Sequence, residues 1–386
     1  MHLMVVVEDR ISEWQAKGEV LEGYFNPDGA FDTITVLGLV ADDPGAETLA
    51  RLCAPARHLY VNAGIDRRWL MAMTAGLRPG RLVAVLRRLA RQIDGPMPDV
   101  MRAYGDGLAA VAAAAIRRQT AIPYAVSIHT TADLTIQARY SGARDRIWRR
   151  LLRPAVHQAL RDAGAIMAVY EPIRDFLPAD VAEKTLVVPN VVGIPARPGI
   201  QVHRAGPLRA LWLGRQMPGR DPRAIIAALE VTPNVTLTLI GDGPLLDSAR
   251  RVASPFGDRT RFIPVMDNRN LCTSLGEYDV LVVNSGFREI PKTVMEASLV
   301  GLPVVVNRLP AAESPEYSDL SAVFVDGSPG GYAAVLRDLE GNPAKRRQLA
   351  HDTQDAAWRL WNPFDVAAQA ADVLRGLTTD AGENGA

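Results

Sequence analysis

Two cysteines in 386 residues, Cys53 and Cys272, rule out a disulfide framework and a cysteine-based zinc pattern, and a reduced compartment is expected. Long apolar runs are missing as well. The longest, such as Leu108–Ile116, fall well short of the ~20 residues that a membrane-spanning helix needs. Charge of one sign is not in excess: 43 basic residues stand against 43 acidic ones. A nucleic-acid partner is therefore not expected, because phosphate binding calls for a basic surplus. Lysine is scarce, with only Lys17, Lys184, Lys292 and Lys345, a bias that a GC-rich genome explains. The opening MHLMVVVEDR lacks a basic leader and turns acidic after seven residues, so it reads as a strand rather than a signal peptide. Together these features point to a cytoplasmic setting.

What the chain does have is 48% hydrophobic and 22% charged residues, the balance of a soluble globular protein. Its length exceeds one ordinary core, so two domains are expected. Short apolar runs alternate with helical patterns throughout. In the first half, Leu3–Val7, Thr33–Val40, His58–Asn62, Pro98–Arg102, Tyr124–His129, Ala165–Tyr170 and Thr185–Pro189 read as strands. Helical patterns lie at Leu108–Gln119 and Asp145–Ala163. The second half repeats the scheme at Leu208–Leu213, Val235–Ile240, Thr260–Ile263, Val280–Val283, Pro303–Asn307 and Ala322–Val325, with helices between them and two more at Gly331–Glu340 and Pro343–Trp361. Such alternation signals βαβ units and parallel sheets. The expected fold is α/β: two Rossmann-like doubly wound domains facing a cleft. Residues 1–195 and 205–362 form the two domains. A proline- and glycine-rich linker at about 191–207 joins them. A last helix near Pro363–Leu377 packs back toward the first domain, and the tail from Thr378 is expected to fray.

Several motifs fall at strand ends. Gly214 ends one strand, where a missing side chain lets a ligand approach, and Arg215 and Arg220 follow. Two guanidinium groups near a helix start suit a diphosphate; the bland alternative is a pair of solvated loop residues. Gly241-Asp-Gly243-Pro244 follows another strand and permits a tight turn, but with Leu246 at the third position it is no dinucleotide fingerprint. Ser285–Pro303 carries Arg288, Glu289, Lys292 and Glu296 after the run ending at Asn284, on a loop and a helix beginning near Pro291. His129 ends a strand in SIHTTAD, with Asp133 placed to orient it. Lys17 and Gly18 follow the first strand, and a phosphate contact there, through the lysine or the Glu19 amide at a helix start, is weighed against an ordinary solvated turn. Arg78–Arg91 and Arg144–Arg161 are basic amphipathic stretches, read either as solvated faces or as peripheral contacts with an anionic membrane on its inner face.

These motifs resemble the GT-B glycosyltransferases, especially glycosyltransferase family 4. The likeness runs along nearly the whole chain and is strongest from Arg209 to Asn307. Gly214–Asp221 is similar to the family's G-R-x-x-x-x-K-G, with Arg220 on its lysine and Asp221 on its second glycine. REIPKTVMEA is similar to the family's REGxPKxxxEA with the glycine deleted. Six residues separate the two glutamates where seven are usual, so either Glu289 or Arg288 takes the donor-sugar position. The resemblance implies a retaining, metal-independent transfer from a nucleotide sugar such as a UDP- or GDP-sugar, with no cofactor. The acceptor would be a glycan, a lipid-linked molecule or a small molecule, in bacterial polysaccharide or glycoconjugate assembly. It further implies that Glu296 holds the ribose, Glu289 faces the donor sugar, His129 meets sugar and phosphate, Gly241, Gly243 and Pro244 pack against the nucleotide, and Lys17-Gly18 stands nearest the family's Gly-Gly pair. Two rivals stay open: a nucleotide-sugar 2-epimerase, and a nucleotide-sugar-binding protein without activity.

Overall fold

The computed structural model describes residues 1–65, 97–130, 143–200, 206–309 and 313–383. The chain divides into two compact units. One comprises Met1–Val191 together with Phe364–Ala386, the other Val192–Pro363.

The first unit holds seven parallel strands: β1 (His2–Val7), β2 (Thr33–Val40), β3 (Arg57–Ile65), β4 (Val100–Tyr104), β5 (Tyr124–Ile128), β6 (Ala165–Ala168) and β7 (Thr185–Val187). Their order is β3-β2-β1-β4-β5-β6-β7. Every residue of β1 is buried, as a parallel strand covered on both faces requires. Leu3, Val5, Ile34, Val36 and Val100 form the core with Phe25, Phe31 and Leu52. The helix Leu108–Thr120 presents buried Ala109, Ala110, Ala112, Ala113 and Ala114, whose small side chains let it lie close to its neighbours. Ala370 and Leu374, from the helix Pro363–Glu383, belong to the same core.

The second unit holds β8 (Leu208–Leu213), β9 (Val235–Ile240), β10 (Thr260–Ile263), β11 (Val280–Val283), β12 (Val304–Asn307) and β13 (Val323–Val325). All pair in parallel, in the order β10-β9-β8-β11-β12-β13. The first strand of each unit sits mid-sheet, and the winding reverses beside it: between β1 and β4, and between β8 and β11. At such switch points the loops after neighbouring strands diverge and leave room for a ligand.

Some elements depart from the sequence reading. Helices at Ile11–Ala16 and Ala46–Cys53 lie in segments to which the sequence reading assigned no element. The last helix continues to Glu383 instead of fraying from Thr378. In the proline-rich stretch after Val191, Arg197 reaches Gln354 at 3.2 Å and also bonds Asp355, while Gln354 donates to the Pro198 carbonyl at 2.9 Å. Arg78–Arg91, Asp133 and the side chains of residues 143–149 lie outside what is described. Among the described residues no helix is long and apolar enough to cross a membrane.

Candidate active site

In the second unit the loops after β8, β9 and β11 converge. Gly214 (φ 142), Gly241 (φ 130) and Gly243 (φ 140) all adopt backbone conformations that side chains disfavour. A Cβ on Gly241 would lie 2.0 Å from the Gly214 carbonyl oxygen, and one on Gly243 2.3 Å from that of Gln216. The two loops are locked by Gln216 N–H to Asp242 O at 2.6 Å and Gln216 Nε2 to Gly241 O at 2.9 Å. The immediate reason for these glycines is thus the approach of one loop backbone to the other; Pro244 follows them, exposed.

Arg215 projects from the β8 loop, exposed and without an ion pair among the described residues. Arg220 is placed by a tight turn: its N–H donates to Met217 O at 2.8 Å, with Pro218 and left-handed Gly219 (φ 89) between them. It does not stand alone. Its Nε donates to Glu289 Oε1 at 2.8 Å and its Nη2 to Oε2 at 2.5 Å, the bidentate fork that guanidinium and carboxylate geometries favour. Its guanidinium also lies 5.3 Å from the centre of the Phe287 ring. Asp221, on the family's glycine, pairs instead with Arg223.

Glu289 is buried and takes a third hydrogen bond from Ser285 Oγ at 3.3 Å. The Ser285 amide donates to Asn307 Oδ1 at 2.8 Å, and the Gly286 amide to Gly219 O at 2.7 Å. The loop is therefore tied both to β12 and to the Arg220 turn. Arg288 turns elsewhere, its Nε donating to the Glu313 carbonyl at 3.3 Å. Of the two residues competing for one position, Glu289 is the one that faces Arg220.

Glu296 lies on the helix Lys292–Leu299, 1% exposed. Asn268 Nδ2 donates to its Oε1 at 2.7 Å. Oε2 accepts no hydrogen bond of ordinary geometry among the described residues. Burial pushes this carboxyl above the usual carboxylate range, opposed first by the charge of Lys292, then by Asn268 and the Gly193 amide. Asn268 escaped the sequence reading. Its signal was Asp267, the cap that starts its helix by accepting from the Arg269 N–H.

In the first unit, His129 stands just past β5. Its Nδ1 lies 3.0 Å from Asn190 Oδ1, which places the proton of the neutral ring on Nδ1. The ring stacks on Tyr104 with centroids 5.4 Å apart and planes 7° apart. Tyr104 is itself held by its hydroxyl donating to Tyr24 O at 2.9 Å and by the Arg102 guanidinium 4.5 Å from its ring centre. Sequence reasoning missed Asn190 as the partner, although its V-P-N context was visible. It also missed Glu8, just past β1, whose Oε2 accepts from the Ala109 N–H at 3.0 Å at the start of Leu108–Thr120. A carboxylate there complements the positive end of the helix.

Glu19, read as standing at a helix start beside Lys17-Gly18, does not start one. The pair closes the helix Ile11–Ala16 rather than opening one. The amides of Lys17, Gly18 and Glu19 donate to the carbonyls of Glu13, Gln15 and Trp14, so none is directed outward. A helix end of this polarity presents carbonyl oxygens, so the Glu19 amide is not placed to receive a phosphate.

A glycosyl transferase 4-like domain model matches residues 34–191, and a glycosyl transferases group 1 model matches residues 222–342. The chain belongs to the GT-B glycosyltransferases. Among its relatives is a glycogen synthase of Mycobacterium tuberculosis, 26% identical over 303 residues, spanning 72% of this chain and 68% of that one. Among solved structures, sucrose-phosphate synthase from Thermosynechococcus elongatus superposes with a TM-score of 0.72 at 15% identity, over 98% of this chain and 100% of that one. Anabaena HepE, solved with UDP, gives 0.70 at 17% identity, over 97% and 100%; it has also been solved with UDP-glucose. This glycosyltransferase is an enzyme of sugar transfer, with its candidate donor residues at the β8/β11 switch point. Among its described residues no cluster of three or more His, Cys, Asp or Glu could hold a metal ion.

Proposed function

We propose that this glycosyltransferase moves a sugar from a nucleotide-sugar donor, with retention of anomeric configuration and without a metal, onto a glycan, lipid-linked or small-molecule acceptor in bacterial polysaccharide or glycoconjugate assembly. The observation that carries the donor reading is the Arg220–Glu289 pair beside exposed Arg215, at the carboxyl end of β8. Charge that develops on the leaving diphosphate needs cations already in place, and the Arg220 guanidinium, fixed by a neighbouring loop, together with exposed Arg215, supplies them without a divalent ion. Arg215 meets the diphosphate. Arg220, oriented by Glu289, meets the oxygen that joins phosphate to sugar. Glu289 faces the sugar hydroxyls. Glu296, steadied by Asn268, receives the ribose hydroxyls through Oε2. His129, with its proton fixed on Nδ1 by Asn190, serves on the acceptor side as a hydrogen-bond acceptor or proton carrier. Gly214, Gly241 and Gly243 shape the floor of the donor site, Pro244 borders it, and Lys292 and Arg288 set its charge. UDP as the nucleotide is supported by the ligands of HepE.

The test is direct. Thermal-shift screening against UDP, GDP, ADP and TDP sugars selects the donor, and proton NMR of the product reads the anomer. An inverted product overturns the retaining mechanism. Turnover abolished by EDTA and restored by a divalent ion overturns metal independence. Epimerised donor without acceptor would assign the enzyme to the 2-epimerases instead.

A further inference from the structure

The helix Pro343–Trp361 begins beside a small cavity of about 40 Å³ in the second unit, lined by Tyr278, Asp279, Gly301, Pro303, Arg346 and Arg347 among others. Asp279 and Pro303 immediately precede β11 and β12, so the cavity lies at the amino-terminal edge of the sheet, opposite the end that carries Arg215 and Glu289. Arg346 is 4% exposed. Its Nη1 donates to the Leu339 carbonyl at 2.6 Å, capping the preceding helix Pro329–Gly341. Its Nη2 is buried and has no hydrogen-bond partner among the described residues. The carboxylate in the lining does not answer it: Asp279 is engaged by Arg209, through Nε at 3.0 Å, Nη2 at 3.1 Å and the backbone N–H at 2.9 Å.

We propose that this cavity is an anion site and that it takes a phosphate group through Arg346 Nη2 and Arg347. A buried guanidinium with an unused edge is costly unless a counter-charge reaches it, and burial already pulls its pKa down. Water would satisfy the hydrogen bond but not the charge. A tetrahedral oxyanion satisfies both, because guanidinium donors match its oxygen spacing. Arg347, exposed on the next position, adds a second cation. The positive end of a 19-residue helix adds to the field. The phosphate is either inorganic or the head of a small monoester.

Calorimetric titration of the full chain with inorganic phosphate, at fixed ionic strength set by chloride, tests the site. Arg346→Gln is expected to weaken phosphate binding at least tenfold, while Arg251→Gln, an exposed arginine on the helix Leu246–Ala253 outside both sites, leaves it unchanged. Equal binding by wild type and Arg346→Gln, or no binding beyond what chloride gives, overturns the proposal. Methyl phosphate binding as well as phosphate assigns the site to monoesters; phosphate binding alone assigns it to the free ion. Should Arg346→Gln not fold, crystals of the wild type grown with selenate decide. Anomalous density within reach of Nη2 supports the site, and a water in that place overturns it. Loss of nucleotide-sugar binding bears on the donor site alone, so the two readings fail separately.

Discussion

Arg220 and Glu289, 69 residues apart, meet through two parallel hydrogen bonds of 2.8 and 2.5 Å. The carboxylate side of the pair is buried and the guanidinium side about one-third exposed. Two residues that sequence reasoning assigned to separate tasks, diphosphate and sugar, thus act on each other first. Glu289→Gln keeps the shape and removes the charge. Losing a charge-assisted contact of about 1.5–3 kcal/mol should lower kcat/KM by roughly 10- to 100-fold. Nucleoside diphosphate binding should hold or tighten, because Arg220 no longer answers to a carboxylate. Calorimetry with the diphosphate showing clear weakening would contradict this arrangement.

Among the described residues Arg215 has no such partner, so its removal should be felt by the ligand alone. Arg215→Ala should weaken diphosphate and nucleotide-sugar binding by about 2 kcal/mol, as for a lost charged hydrogen bond. The melting temperature of the unliganded protein should stay put. Unchanged affinity would remove Arg215 from the site.

Glu296 ties stability to pH. Its carboxyl titrates above the usual range because it is buried. The folded state therefore holds this proton more tightly than the unfolded chain does. The resulting stabilisation is present below the ordinary glutamate value of about 4.3 and is lost as pH rises through the raised value. Glu296→Gln should accordingly raise the melting temperature at neutral pH, with the gain shrinking toward pH 4. The same variant should weaken nucleoside binding and leave a ribose-free diphosphate ligand unaffected. A melting temperature that falls at neutral pH would show the carboxylate to be stabilising instead.

The glycine turns offer a contrast. Gly241→Ala forces a Cβ to 2.0 Å from a backbone oxygen at a φ of 130° and should destabilise the protein by about 1–3 kcal/mol or more. At Gly286 the nearest atoms to an added Cβ stand 3.7 Å away, which is ordinary contact, so Gly286→Ala should melt close to the wild type. Thermal denaturation of both variants checks the pair; equal losses would mean that loop-to-loop approach is not what Gly241 serves.

Strands of the second unit were legible almost to the residue. Val235–Ile240 and Val280–Val283 are short apolar runs bounded by Asn, Asp or Gly, and nothing else such runs can do satisfies their backbone and bury their side chains. Arg215, Arg220, Glu289 and Glu296 were legible as site residues from type and position. Their partners were not. Asn268, Asn190 and Glu8 reach their targets across 28, 61 and 101 residues, and a hydrogen bond over such separations leaves no periodicity behind. The helix Ile11–Ala16 was missed because only Ile11 of its six residues is buried, so no apolar stripe announced it.

The helix that closes the chain has a further implication, for synthesis. Ala370 and Leu374 sit in the core of the unit that begins with Met1, yet all of Val192–Pro363 is translated between them and Val191. On the ribosome the first unit to begin must wait, with part of its interior uncovered, while the second emerges whole and folds. Domains that are contiguous can fold in the order they are made; here the later one finishes first, and a stop codon just after Pro363 would leave the earlier one exposed.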